Sequence, residues 1–324
     1  MPNITINDMI LINQENESVL DTLLRENILV PHACQQGVCQ SCLMRSIDTP
    51  PPVYAQVGLK NTLQKQQYFL ACMCHPIKDM TVSLPNYQTD LFNATVIEKQ
   101  LLATDIMRVV LEYETEFEFF AGQFVDLHRE DGLARSYSIA NRSQGDNRLE
   151  FHIRRLPNGQ FSSWVHDELL IGSNLKLSEA KGSCYYLANK KQNPLLLIGT
   201  GCGLAPLMGI IEDALAQGHK EDIYLFHGSR YAEGLYLVNE MHELTKQYAN
   251  FHYTPCLSGQ NDADYAQGRV HDVALARIEN LKGWRVYLCG HPEMVNQSKR
   301  MAYLKGASLS DIYADAFYAI SETH

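Results

Sequence analysis

The chain has 324 residues, 45% of them hydrophobic, and a formal net charge of −10. That length allows two or three domains, and no apolar run approaches the roughly 18 residues that a membrane span needs. The acidic balance argues against non-specific nucleic-acid binding. Nine cysteines, with no leader pattern in Met1-Pro-Asn-Ile-Thr-Ile, point to a reducing compartment, by default the cytoplasm, rather than to disulfides.

In chain order, residues 1–85 read as an α+β unit. Ile4-Thr-Ile6 and Met9–Ile12 form a strand pair, and Ser18 caps an amphipathic helix through Glu26. Cys34, Cys39, Cys42 and Cys72 follow with the spacing C-x4-C-x2-C-x29-C, whose first three members match the plant-type [2Fe–2S] pattern. Each iron of such a cluster takes two thiolates, and Gly37 lets the loop turn where a side chain would collide. Structural zinc is the competing reading, but it draws on paired C-x2-C knuckles rather than this spacing. After the Pro50–Pro52 break, a return strand falls at Met80–Leu84.

The whole stretch resembles a plant-type ferredoxin of the β-grasp kind. That resemblance makes Cys72, in Phe69-Leu-Ala-Cys72-Met-Cys74, the fourth ligand in preference to Cys74. The family often has glycine directly after the second cysteine, where this chain has Gln40, a change that bears on hydrogen bonding to the cluster and hence its potential. His32 and His75 are read as neighbours of the cluster, not ligands.

Residues 86–90 are a polar connector. From 91 to 190 short alternating runs (Ala94–Ile97, Ile106–Leu111, Phe124–His128, Leu149–Ile153) separated by turn residues predict an antiparallel β-barrel. From Pro194 strands alternate with helices, as in Leu195–Ile198, Ala205–Ala216 and Ile223–Phe226, so 191–324 reads as a parallel, nucleotide-binding α/β sheet.

Within the barrel segment, Arg135-Ser136-Tyr137-Ser138 resembles the R-x-Y-S motif of the ferredoxin–NADP reductase superfamily. The likeness covers nearly the whole chain, which is similar to oxygenase-type electron-transfer reductases with ferredoxin, flavin and nicotinamide domains in that order. It implies FAD, whose diphosphate Arg135 would contact, with Ser136 alongside. Tyr137 would lie on the isoalloxazine face, and Ser138 would stand near its reactive N5 edge. Gly159-Gln-Phe-Ser162, opening a helix after the strand Phe151–Arg155, resembles the family's G-x-x-S pyrophosphate motif. Arg154 is a further cofactor contact on this reading.

Gly199-Thr200-Gly201-Cys202-Gly203-Leu204-Ala205-Pro206 links a strand to a helix. Leu204 stands where the G-x-G-x-x-G fingerprint has its third glycine, so the loop instead resembles the family's G-T-G-x-(G/A)-x-A-P sequence. Pro206 suits a helix start. Cys289-Gly290-His-Pro292 resembles the segment beneath the nicotinamide, which assigns Cys289 and Ser138 to the hydride-transfer point. Phe317, or alternatively Tyr318, would bring an aromatic to the flavin. Ser229-Arg230, with the later Tyr236, could hold a 2′-phosphate, although NADH-using relatives also show a glycine–x–arginine there; NADH is favoured over NADPH. Cys74, Cys184 and Cys256 are read as small hydrophobes.

The resemblance implies an NADH-dependent reductase passing electrons through FAD and the cluster to the hydroxylase component of a mono- or dioxygenase, with the reductase itself monomeric. A reductase for an iron–sulfur dehydrase of deoxysugar synthesis and a cluster-based redox sensor are the alternative readings.

Overall fold

Alternating burial in Asn3–Ile6 places Ile4 and Ile6 inward, and this strand (β1) pairs antiparallel with Met9–Ile12 (β2). Val19–Arg25 (α1) follows. Ser18 accepts from the Asp21 N–H while the Asp21 side chain accepts from the Ser18 N–H, a capping box that satisfies two helix-end donors. The helix buries Val19, Leu20 and Leu23, each worth about 2 kcal/mol over exposure. Leu43–Ser46 (β3), Asn61–Lys65 (α2), Tyr68–Leu70 (β4) and Met80–Ser83 (β5) complete a five-stranded sheet in the order β2-β1-β5-β3-β4. The parallel β1–β5 pair within it gives the β-grasp arrangement. This computed structural model describes residues 1–32, 34–37, 40–84, 91–114 and 116–318. The chain divides into two units, Met1–Gln88 and Thr89–His324.

The second unit begins with an antiparallel sheet. Its strands are Phe92–Ala103 (β6), Ile106–Tyr113 (β7), Phe124–His128 (β8), Ala134–Ser138 (β9), Arg148–Arg154 (β10) and Asn174–Leu177 (β11). They run in the order β10-β7-β6-β11-β8-β9, and an Ile139–Phe151 bridge brings the two ends together into a barrel. Gln160–Asp167 (α3) packs Phe161 and Val165 into its core.

A parallel sheet follows, built from Leu195–Thr200 (β12), Ile223–Ser229 (β13), Phe251–Leu257 (β14), Ala266–Gln267 (β15), Arg285–Gly290 (β16) and Ile312–Ala316 (β17), in the order β15-β14-β13-β12-β16-β17. Leu204–Ala216 (α4), Val238–Gln247 (α5), Val270–Arg277 (α6) and Pro292–Leu304 (α7) connect these strands. The order reverses at β12, so the crevice beyond the ends of β12 and β16 is where such a sheet takes its ligand. Helix α4 starts at Leu204, so Pro206 lies in its first turn, where a missing N–H leaves no helix bond unmade.

Barrel and parallel sheet share one core. Ile106, Cys184 and Tyr186 pack with Leu195, Leu207 and Ile210. At its edge Glu212 of α4 comes close to Glu150 of β10. Burial, reinforced by the Glu150 charge, pushes the Glu212 carboxyl from 4.5 to about 7. Burial would raise Glu150 too, but hydrogen bonds from His152 and Arg108 outweigh it and hold that carboxyl at about 2.

The folded chain therefore keeps a proton on Glu212 that the unfolded chain releases, and this stabilisation is full below pH 4.5 and lost as pH climbs through 7. Glu212→Gln should remove that dependence. Across the window the natural chain should lose on the order of 2 kcal/mol relative to the variant, measured by urea unfolding at a series of pH values.

Candidate active site and cluster loop

The cysteine loop is shaped by its backbone. Gly37 takes φ +74°, and a Cβ there would lie 2.9 Å from Met73 Cγ, so only glycine fits the turn. Cys42 and Cys72 place their sulfurs 3.3 Å apart, Cys34 Sγ accepts from the Gln36 N–H at 3.4 Å, and the Gly37 N–H donates to Cys72 Sγ. Cys39 lies outside the described residues. Gathered thiols with peptide N–H groups aimed at their sulfurs form a donor set suited to a [2Fe–2S] cluster. Cys74 faces the other way: it is fully buried against Met80 Sδ at 4.0 Å, and burial pushes its thiol up to about 12. His32 and His75 are exposed. Gln40 adopts φ +59°, a conformation that favours glycine, and its side-chain amide donates to the Gly58 carbonyl at 3.0 Å.

Strand β9 carries the R-x-Y-S residues to the mouth of the barrel. Arg135 is half-buried, with one guanidinium nitrogen donating to the Ala134 carbonyl at 2.8 Å. Ser136 donates to the Asp126 carboxylate, which Lys181 also grips at 2.7 Å. Tyr137 leans on Phe161, with ring centroids 5.5 Å apart. Ser138 is buried and donates to Asp315 Oδ2 of β17 at 3.5 Å. Asp315 pairs in register with Cys289 of β16, so one residue meets the R-x-Y-S serine through its carboxyl and the cysteine of the nucleotide sheet through its backbone. Burial raises the Asp315 carboxyl, partly offset by the Ser138 hydroxyl. This residue was missed in the sequence, although it stands only two positions before Phe317.

Across the crevice a Cβ on Gly203 would sit 2.1 Å from the Cys289 carbonyl oxygen. That contact requires glycine and presses the loop Gly199–Gly203 against β16. The His291 N–H donates to Thr200 Oγ1 at 3.1 Å, joining the two loops again. Cys289 is fully buried, its sulfur 3.8 Å from that of Cys184, and burial pushes its thiol far above the usual range. The Phe317 N–H donates to the Gly290 carbonyl at 2.8 Å, setting this half-buried aromatic beside the same crevice, whereas Tyr318 is exposed.

Two further motif residues, Ser162 and Arg154, make bonds within the chain. The Ser162 hydroxyl accepts from the Leu156 N–H at 3.1 Å and donates to the Gly159 carbonyl at 3.3 Å, closing the turn before α3. Arg154 pairs with Asp105 at 3.0 Å, and its guanidinium lies 2.6 Å from where a Cβ on Gly201 would stand, against the glycine loop. At the end of the neighbouring strand β13, on the same carboxyl edge of the sheet, Ser229 is half-buried and Arg230 exposed, its guanidinium 5.3 Å from the Tyr231 ring. A cavity of about 540 Å³ opens beside them, lined by Leu257, Ser258, Gly259 and Gln260 among others. Tyr236 is buried, with its hydroxyl 3.0 Å from His152 Nδ1.

Fold and site together define an NAD(P)H-dependent flavin iron–sulfur oxidoreductase, and comparison with known proteins agrees. A 2Fe-2S iron-sulfur cluster binding domain matches residues 4–76, an oxidoreductase FAD-binding domain 93–186, and an oxidoreductase NAD-binding domain 197–300. The chain is 30% identical over 319 residues to the ferredoxin–NAD(P)+ reductase component of the naphthalene 1,2-dioxygenase system of Pseudomonas putida, spanning 96% of this chain and 97% of that protein. It is also 30% identical over 319 residues to the reductase subunit of an aromatic O-demethylase from an Amycolatopsis species, spanning 94% and 95% of the two chains. An Amycolatopsis cytochrome P450 reductase of known structure superposes with a TM-score of 0.71 at 28% identity, over 99% of this chain and 100% of that one. The chain belongs to the family of ferredoxin–NAD(P)+ reductase components that join a [2Fe–2S] domain to an FAD- and NAD-binding module.

Cys72→Ser should abolish the cluster's visible absorption and bound iron. Cys74→Ser should retain both while destabilising the first unit by about 2 kcal/mol, since it buries a hydroxyl in an apolar core; iron content and denaturant unfolding separate the two. Asp315→Ala should slow NADH-driven flavin reduction roughly tenfold, as expected when a buried hydroxyl loses its acceptor, with flavin content unchanged in a stopped-flow assay.

Proposed function

We propose that the chain is the reductase component of a multicomponent mono- or dioxygenase, drawing on NADH and delivering single electrons to a hydroxylase partner. The ferredoxin, flavin and nucleotide domains would occupy residues 1–85, 91–190 and 191–324. The observation carrying this reading is the meeting of Ser138, Asp315 and Cys289 at the crevice where the barrel faces the nucleotide sheet. An FAD held there would supply the means of splitting the electron pair of NADH into single electrons, chemistry that belongs to the cofactors.

The protein's part is placement. Cys34, Cys39, Cys42 and Cys72 would hold the irons, and Arg135 would offer a planar cation to the FAD diphosphate. Tyr137 and Phe317 would cover the ring system, and the peptide N–H groups that start α3 would face a phosphate. Gly199–Gly203 would admit the NADH pyrophosphate close to the backbone, and Ser229 and Arg230 would meet its adenosine half. NADH is favoured because Tyr236 keeps its hydroxyl inside the protein, bonded to His152, and away from any 2′-phosphate. Relatives include reductase components or subunits of a naphthalene 1,2-dioxygenase system, an aromatic O-demethylase and a terephthalate 1,2-dioxygenase, which supports an oxygenase as the electron acceptor. No disulfide between the described cysteines is needed by this reading, which suits a reducing compartment such as the cytoplasm.

The route is tested by Cys42→Ser. NADH should still bleach the flavin band of this variant at the rate of the natural chain, while cytochrome c reduction falls at least tenfold. Undiminished cytochrome c reduction would refute electron exit through the cluster.

A further inference from the structure

Strand β10 touches the nucleotide sheet through residues of one face, since side chains two apart on a strand point the same way. Arg154 reaches Gly201, as described above. Two residues earlier, His152 is 4% exposed and reaches Tyr236, which is 2% exposed. His152 Nε2 lies 2.9 Å from Glu150 Oε1, and with that N–H donating to the carboxylate, Nδ1 is left to accept from the Tyr236 hydroxyl at 3.0 Å. Glu150 in turn accepts from Arg108 at 2.7 Å, and Arg108 donates to Glu98 of β6 at 2.9 Å. The chain of bonds thus runs from the loop after β13 across the barrel to its surface.

Tyr236 is also wedged mechanically. Its ring meets His152 edge-on at 5.3 Å on the barrel side and His227 edge-on at 5.7 Å on the sheet side. His227 lies on β13, in register with Gly199 at the start of the glycine loop. The next residue, Leu237, takes φ +55° and ψ 27° at the start of α5, a left-handed conformation unfavourable for a leucine. Such strain persists only where the surroundings over-determine it, and here the buried Tyr236 hydroxyl fixes the preceding residue. Burial also keeps that hydroxyl protonated, so it remains a donor.

We propose that Tyr236 and His152 are positioning residues: their hydrogen bond, anchored through Glu150 and Arg108, sets the glycine loop of the nucleotide sheet at the distance from the flavin barrel that hydride transfer requires. This rests on the reading that hydride crosses the crevice between β9 and β16. Small displacements in such a geometry lower the rate of the chemical step more than they weaken binding.

The test is a double-mutant cycle on the full-length holoenzyme, with flavin reduction by NADH followed by rapid mixing. Tyr236→Phe, which removes one oxygen, should lower the limiting rate constant roughly tenfold while leaving the NADH Kd within about twofold. His152→Leu should do the same, and the double variant should be no slower than either single one. His152→Asn, which restores a partner for the hydroxyl, should recover most of the rate. In hydrogen exchange, Tyr236→Phe should lose protection at the amides around Leu237 while those of β12 stay protected. A limiting rate in Tyr236→Phe within about twofold of the natural chain, or multiplicative losses in the double variant, would overturn the proposal. If the natural holoenzyme itself failed to transfer hydride from NADH, the functional reading beneath it would fall instead.

Discussion

No side chain fits between Gly203 and the carbonyl of Cys289, and the geometry of the reductase module follows from that exclusion. The contact brings the glycine loop onto β16, and β16 brings Asp315 into register beside Cys289. Asp315 then accepts from Ser138 on the barrel. A single backbone approach thus fixes which strand ends confront one another across the crevice. The rest of the site is arranged on those ends: the aromatic Phe317 hangs from the Gly290 carbonyl, and Arg154 braces the loop from the barrel side.

Where Ser138, Asp315 and Cys289 meet, neither the thiol nor the carboxyl is held charged by an opposite charge, and a reductase needs no such group. The cysteine is inert by burial, and the carboxyl is raised toward the neutral form. A buried thiol and a carboxyl raised toward its neutral form suit transfers in which the cofactors would carry the electrons and the protein holds distance and orientation. The cluster loop follows the same logic. Peptide N–H groups aimed at the sulfurs stabilise negative charge without placing a mobile cation beside the metal.

The β-grasp unit, the barrel and the parallel sheet were legible in the sequence because each rests on local periodicity and turn chemistry. The cysteine spacing and the glycine-rich loop were legible for the same reason: a few neighbouring residues must serve one bound group. Asp315 was not legible, since its meaning comes from β17 lying beside β16 and from a serine 177 residues away. Tyr236 was read for its place after Ser229-Arg230, but tertiary packing turns it inward to a histidine on another strand system. Gln40 shows the limit from the other side. The sequence marked it as a departure from glycine, but only the backbone reveals the left-handed conformation and the anchor to Gly58 that accommodates it.

That anchor joins two segments of the first unit. Gly58 belongs to the turn that follows Val53–Gln56, where Val53 and Val57 stand open to solvent. The backbone of that turn is tied by the Gln40 amide to the loop that leads into Cys42. The loop is thus braced by a second segment of the chain and not by its own residues alone. A glycine in place of Gln40 would relax the backbone and remove this brace at the same stroke.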